Sequence, residues 1–115
     1  MVKMEFQIQK ETAATVVAVI GRMDAVTAPE YEKKLAGMMD EGEKNFIIDF
    51  GKLDYISSAG LRALLMTGKR VKSLGGLMLL ANIGGAVKDV FAISGFGTIF
   101  PMHDTVQSAL GAAEE

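Results

Sequence analysis

Two adjacent hydroxyls, Ser57 and Ser58, followed by Ala59, Gly60, Leu61 and Arg62, are the residues of this chain best placed to do chemistry. At the start of a helix, a serine oxygen can accept a hydrogen bond from a first-turn N–H that has no partner inside the helix. The same place favours added negative charge, because a helix N-terminus carries about half a positive charge and presents free N–H groups. A phosphate on one of these serines is therefore compatible with the fold. Ala59 and Gly60 leave the hydroxyl approachable, and Arg62, one turn on, can pair with the added charge. Capping alone also accounts for the pair, and the spacing leaves open which serine caps and which is free. Asp24, in the loop before the first helix, reads as a turn residue capping nearby backbone.

The elements that hold these residues follow from periodicity. Phe46-Ile47-Ile48 is an uninterrupted apolar, β-favouring run stopped by Asp49 and Gly51, the pattern of a buried strand, with a loop leading on to the serines. From Gly60 the apolar residues Leu61, Leu64, Leu65, Gly68 and Val71 recur at helical spacing, ending near Ser73 with Gly75-Gly76 as the stop. Upstream, Met4 to Lys10 alternates apolar and polar, and Thr15 to Ile20 is more continuously apolar; a turn over Glu11 to Ala14 makes them a hairpin, the first strand near a sheet edge. Thr27, Pro29 and Glu30 predict a capped helix start, with a stripe of Tyr31, Leu35, Met38 and Met39 and an end at Asp40 to Gly42. The two methionines read as core filling rather than as a partner groove. Downstream come a strand over Leu77 to Ala81, a helix over Ala86 to Ile93 stopped by Gly95, and a very short strand limited by Pro101. A closing helix is capped by Asp104 or Thr105. Phe96 is either an exposed aromatic or a plug under its loop. The predicted order is strand, strand, helix, strand, helix, strand, helix, strand, helix: a single α/β domain with a four- to five-stranded mixed sheet and about four helices.

The segment LDYISSAGLRALL at 53–65, with GRMDAVTAP at 21–29, resembles the STAS domain of bacterial anti-sigma factor antagonists over nearly the whole chain, taken here as residues 1–115. That resemblance implies the same mixed α/β fold and a phosphorylatable serine at the start of the central helix. Aligned on Gly60-Leu61, the family phosphoserine falls on Ser58, with Ser57 as its competitor. The family aspartate falls on Ser57, the second Ser/Thr on Ala59, and the usual small residue after Leu on Arg62. Asp24 matches the aspartate that lies beside the serine in the family. The resemblance implies a partner-binding surface over Asp24, Ser57, Ser58, Ala59, Gly60 and Arg62. It further implies an anti-sigma factor with serine kinase activity of the GHKL type as binding partner, and a PP2C-type phosphatase that resets the switch. The missing aspartate and the large Arg62 also suit a second reading, a STAS-type scaffold or transport-complex subunit that is not a phosphoswitch.

Composition narrows the remaining classes. The chain has 115 residues and a net charge of −2, which argues against nucleic acid as a partner. The cations Arg62, Lys69, Arg70 and Lys72 read as a solvated helix face or a docking surface for an acidic patch. Half the residues are hydrophobic, yet no run approaches the ~20 apolar residues that span a bilayer, and the N-terminus lacks a signal pattern, so a cytoplasmic protein is expected. There is no cysteine, which removes disulfides, thiolate metal sites and thiol nucleophiles together. The one histidine, His103, adjoins Asp104 and reads as a surface or capping residue rather than a triad member with Ser58. No metal site, glycine-rich nucleotide loop or cofactor is indicated, and neither is an enzyme. The free protein is expected to be a monomer or weak dimer.

Overall fold

The structure is a computed structural model and describes residues 4–114. Strand β1 (Met4–Lys10) and strand β2 (Thr15–Met23) form the expected hairpin, closed by Glu11 N–H donating to the Ala14 carbonyl at 3.0 Å. Helix α1 (Ala28–Asp40) leads to β3 (Asn45–Asp49). A further strand, β4 (Leu53–Ile56), precedes helix α2 (Ser58–Ser73). Strand β5 (Leu77–Ala81), helix α3 (Gly85–Ser94), a 3-10 turn at Phe96–Thr98, the two-residue strand β6 (Met102–His103) and helix α4 (Val106–Ala113) complete the order.

These strands make one mixed sheet in the order β1-β2-β3-β5-β6, with β4 attached to β2 off that path. The hairpin is antiparallel and every other pairing is parallel. The expected α/β domain with four helices is therefore present, with one strand more than the periodicity indicates. Residues 53–56 lie in the stretch read as a loop and are instead strand β4. Leu53 and Ile56 are buried while Asp54 and Tyr55 are exposed, a pattern with neither the alternation of a half-buried strand nor the continuity of a buried one.

Strand β2 makes this extra pairing possible. Its first half pairs with β3, from Thr15 with Phe46 to Ala18 with Asp49. The register then shifts between Gly21 and Arg22, and its end pairs with β4. Gly21, at φ 103°, takes the left-handed conformation at this bulge and donates its N–H to Lys52 O at 3.0 Å. One long strand thus carries the core in its first half and the approach to α2 in its second.

Two apolar layers cover the sheet. The larger joins α1, α2 and α3 to one face through Tyr31, Leu35, Leu64, Val71 and Phe91 packed over Val17, Phe46, Ile48 and Leu80. The smaller places α4, through Ala109, over Val16, Ile47 and Leu79 on the other face. Burying each large aliphatic or aromatic side chain contributes about 1.5–3 kcal/mol, so the first layer sets where α2 begins. Its α1–α2 seam contains a polar pair, Tyr31 Oη to Thr67 Oγ1 at 2.8 Å. Burial pushes the Tyr31 phenol well above its ordinary pKa. Met38 and Met39 are core residues, as read from sequence. Phe96 is half-buried with its ring edge-on to Phe91 at 6.3 Å, which matches the plug reading.

Candidate functional site

The site forms where β2 ends and α2 begins. Ser57, at φ −98° and ψ 176°, has extended backbone and is the N-cap of α2; its Oγ accepts from the Gly60 N–H at 3.3 Å. Its own N–H donates to the Met23 carbonyl at 2.9 Å, which ties the start of α2 to the end of β2. Gly60 tightens the same junction. A Cβ there would lie 2.7 Å from the Met23 carbonyl oxygen and 2.7 Å from Ile56 Cγ1, so only a residue without a side chain lets the first turn sit this close to β2. Ser58, the first residue of the helix, is exposed, and its hydroxyl makes no hydrogen bond among the described residues. Ala59 is half-buried, and Arg62 is exposed one turn further along.

Asp24 follows Met23 directly, so the same contact brings its loop beside the serines. Its carboxylate is turned into its own loop, however. Oδ1 accepts from Val26 N–H at 3.0 Å and Thr27 N–H at 3.2 Å, and Oδ2 stands 3.7 Å from Arg22 Nε. The Thr27 N–H, above all, holds the Asp24 carboxyl below its ordinary pKa. The Val26 N–H, the Thr27 hydroxyl and the Arg22 charge act in the same direction, against an opposing contribution from desolvation.

Thr27 differs from the sequence expectation. It precedes α1, but its backbone is already helical at φ −95° and ψ −21°, and its hydroxyl does not cap the helix. Buried, it accepts from Asp24 N–H at 2.9 Å and donates to Arg22 O at 2.8 Å, which locks the loop. The Asp24 carboxylate closes the turn ahead of α1, at Val26 and Thr27, and α1 itself opens with Ala28 N–H donating to the Asp24 backbone carbonyl at 2.8 Å.

Arg22 and Tyr55 belong to this surface and carry no signal in the sequence. They are register partners between β2 and β4, and the Arg22 guanidinium lies 4.3 Å from the centre of the Tyr55 ring. Only knowledge that residues 53–56 pair with the end of β2 would have brought them together.

The other candidates are local. His103 Nδ1 meets Ser108 Oγ at 3.2 Å in the first turn of α4, on the sheet face opposite α2. Among the described residues no group of three His, Cys, Asp or Glu side chains could hold a metal ion, and no helix is long and apolar enough to cross a membrane. Of the four cations on α2, Arg70 pairs with Asp40 at 2.7 Å. Arg62, Lys69 and Lys72 have no acidic partner among the described residues.

What the site offers is a free hydroxyl at a helix N-terminus on a tightly anchored loop. Its neighbours are an engaged carboxylate, a stacked arginine and one unpaired arginine. The chain is similar to known proteins along nearly its full length. It is 35% identical over 109 residues to the Bordetella bronchiseptica protein BtrV, whose name describes it as a candidate anti-sigma factor antagonist; the match covers 95% of this chain and 94% of that one. Among solved structures it superposes on a Thermotoga maritima protein described in similar words, with a TM-score of 0.90 at 16% identity over 96% of this chain and 95% of that one. It also superposes on the Bacillus cell fate determinant SpoIIAA in its phosphorylated form, with a TM-score of 0.72 at 22% identity over 94% and 98% of the two chains. The STAS domain family model matches residues 4–109, and the chain belongs to the STAS domain family.

Proposed function

We propose that this chain is an anti-sigma factor antagonist whose unphosphorylated form binds an anti-sigma factor through the surface around Ser58. The observation that carries this reading is the division of labour between the serines. Ser57 is committed to capping α2, whereas Ser58 stands exposed beside it with its hydroxyl unengaged. The name of the BtrV relative supports the same class of function, and the phosphorylated SpoIIAA structure supports a fold compatible with an added phosphate.

In this mechanism the partner is an anti-sigma factor with serine kinase activity of the GHKL type. Docking on Asp24, Ser57, Ser58, Ala59, Gly60 and Arg62 releases the sigma factor. Phosphorylation of Ser58 adds between one and two negative charges at the centre of the contact. In the free protein the charge is stabilised by the N-terminus of α2 and by Arg62. In the complex the charge loses its water and gains no partner from the anti-sigma factor, at a cost of about 3–5 kcal/mol, enough to weaken binding by a hundredfold or more. A PP2C-type phosphatase resets the switch. The protein acts by binding, without a catalytic step of its own.

Peptide-level mass spectrometry of the protein from its own cells tests the modification: one phosphate is expected on Ser58 within residues 56–62. Purified Ser58→Ala is expected to bind the anti-sigma factor and resist labelling, and Ser58→Asp to bind weakly. Equal binding by Ser58→Asp and wild type would sink the mechanism.

A further inference from the structure

Strand β5 is paired along only part of its outer edge. Leu77 N–H donates to Lys44 O, towards β3, at 3.0 Å, and Leu80 N–H donates to Pro101 O, towards β6, at 3.0 Å. Because amides alternate in direction along a strand, the N–H and C=O of Met78 point to the β6 side, like those of Leu80. Strand β6 pairs only with Leu80 and Ala81. Continued one step back, the ladder would need Pro101 to donate to Met78 O, and proline has no N–H. Among the described residues neither backbone group of Met78 has a backbone partner on that side.

Alongside this open edge runs a groove of about 420 Å³ between α2 and the segment 99–101. Buried Val71, Met78 and Phe100 contribute apolar lining, and Ile99, half exposed, adds to it. Lys69 and Lys72 line the groove as exposed cations without acidic partners among the described residues. Lys69 lies eleven residues along α2 from Ser58, about 16 Å at the helical rise, so the groove is separate from the Ser58 surface.

We infer that this groove docks an extended peptide segment of a protein partner, apolar at its centre and acidic at one end. The segment adds as a short strand to β5 at Met78 and sets its carboxylates against Lys69 and Lys72. The open backbone pair favours a peptide, since an acyl chain would satisfy neither group. Pro101 stands opposite Leu79, so the free edge is Leu77–Met78, about 7 Å long, and takes two residues of strand. Two unopposed cations select an acidic flank over a basic one.

The test is an amide NMR titration of the full chain with the capped peptide acetyl-Glu-Glu-Val-Val-Val-Thr-amide at up to millimolar concentration. The expected result is a shift and slowed hydrogen exchange at the Met78 amide, with shifts at Lys69 and Lys72. The double variant Lys69→Glu/Lys72→Glu should weaken binding by about tenfold, the effect of losing two exposed charge pairs. The same peptide with Lys-Lys in place of Glu-Glu should bind weaker by a similar factor. Three results would each overturn the inference: no shift in the groove, binding that leaves the Met78 amide unprotected, or dodecanoate shifting these residues when the peptide does not.

Discussion

The starts of α1 and α2 are two solutions to one problem, and they leave different groups free. Both helices begin just after a strand that belongs to the β2 junction, and both need an acceptor for first-turn N–H groups. At α1 no side chain caps the helix: Ala28 N–H donates to the Asp24 backbone carbonyl at 2.8 Å, the Asp24 carboxylate is spent on the Val26 and Thr27 N–H groups of the turn before it, and the Thr27 hydroxyl is buried and bonded to Asp24 N–H and Arg22 O. At α2 the acceptor is Ser57, and the next residue, Ser58, is exposed and unused. The first start is closed by its own hydrogen bonds; the second is closed with one hydroxyl to spare.

The sharpest way to break this comparison is at Gly60. Gly60→Ala places a Cβ 2.7 Å from the Met23 carbonyl oxygen, a backbone atom that cannot move alone, and should destabilise the protein by about 1–3 kcal/mol in urea unfolding. The control lies in α1, where a Cβ on Gly37 would meet nothing within 4 Å. Gly37→Ala should stabilise by about 0.5–1 kcal/mol. Equal shifts at the two positions would mean that the junction is not tight.

A smaller effect separates the serines. Ser57→Ala removes the cap and should cost about 1 kcal/mol, while Ser58→Ala should change unfolding free energy by less than about 0.5 kcal/mol. The reverse order would reassign cap and free hydroxyl.

The smallest effect concerns Asp24 and pH. Its folded-state pKa is held below the ordinary value of 3.8, so the stability it contributes is present above that value and lost as pH falls through the folded-state pKa. Asp24→Asn should therefore narrow the stability difference from wild type as the solution is acidified below pH about 4. Thermal midpoints across that range provide the measurement.

Much of this architecture was legible from periodicity. The runs Thr15 to Ile20, Phe46 to Ile48 and Leu77 to Ala81, and the helical stripes at Tyr31 and Leu61, declare themselves because each buries one regular face. Residues 53–56 do not, because their strand exists only by pairing with the far half of β2, a contact that no local pattern encodes. The same distance hid Arg22 and Tyr55. At Thr27 the residue types of a cap were present, but the backbone had already turned helical, its hydroxyl was drawn back to Arg22 O, and α1 was left without a side-chain cap. The pair Ser57-Ser58 was visible as a site; which serine was free depended on the extended backbone at Ser57.

The bulge at Gly21 has a consequence for association. Because β2 runs unbroken from the core to Met23, and Met23 holds Ser57, the backbone beneath Ser58 is anchored by the sheet itself. If the proposed partner docks there, it meets a backbone already fixed, and the entropy lost on binding would fall on exposed side chains such as Arg62 and on the partner itself. In that case a single added charge would change affinity sharply, since a backbone tied to the sheet has little freedom to rearrange around it.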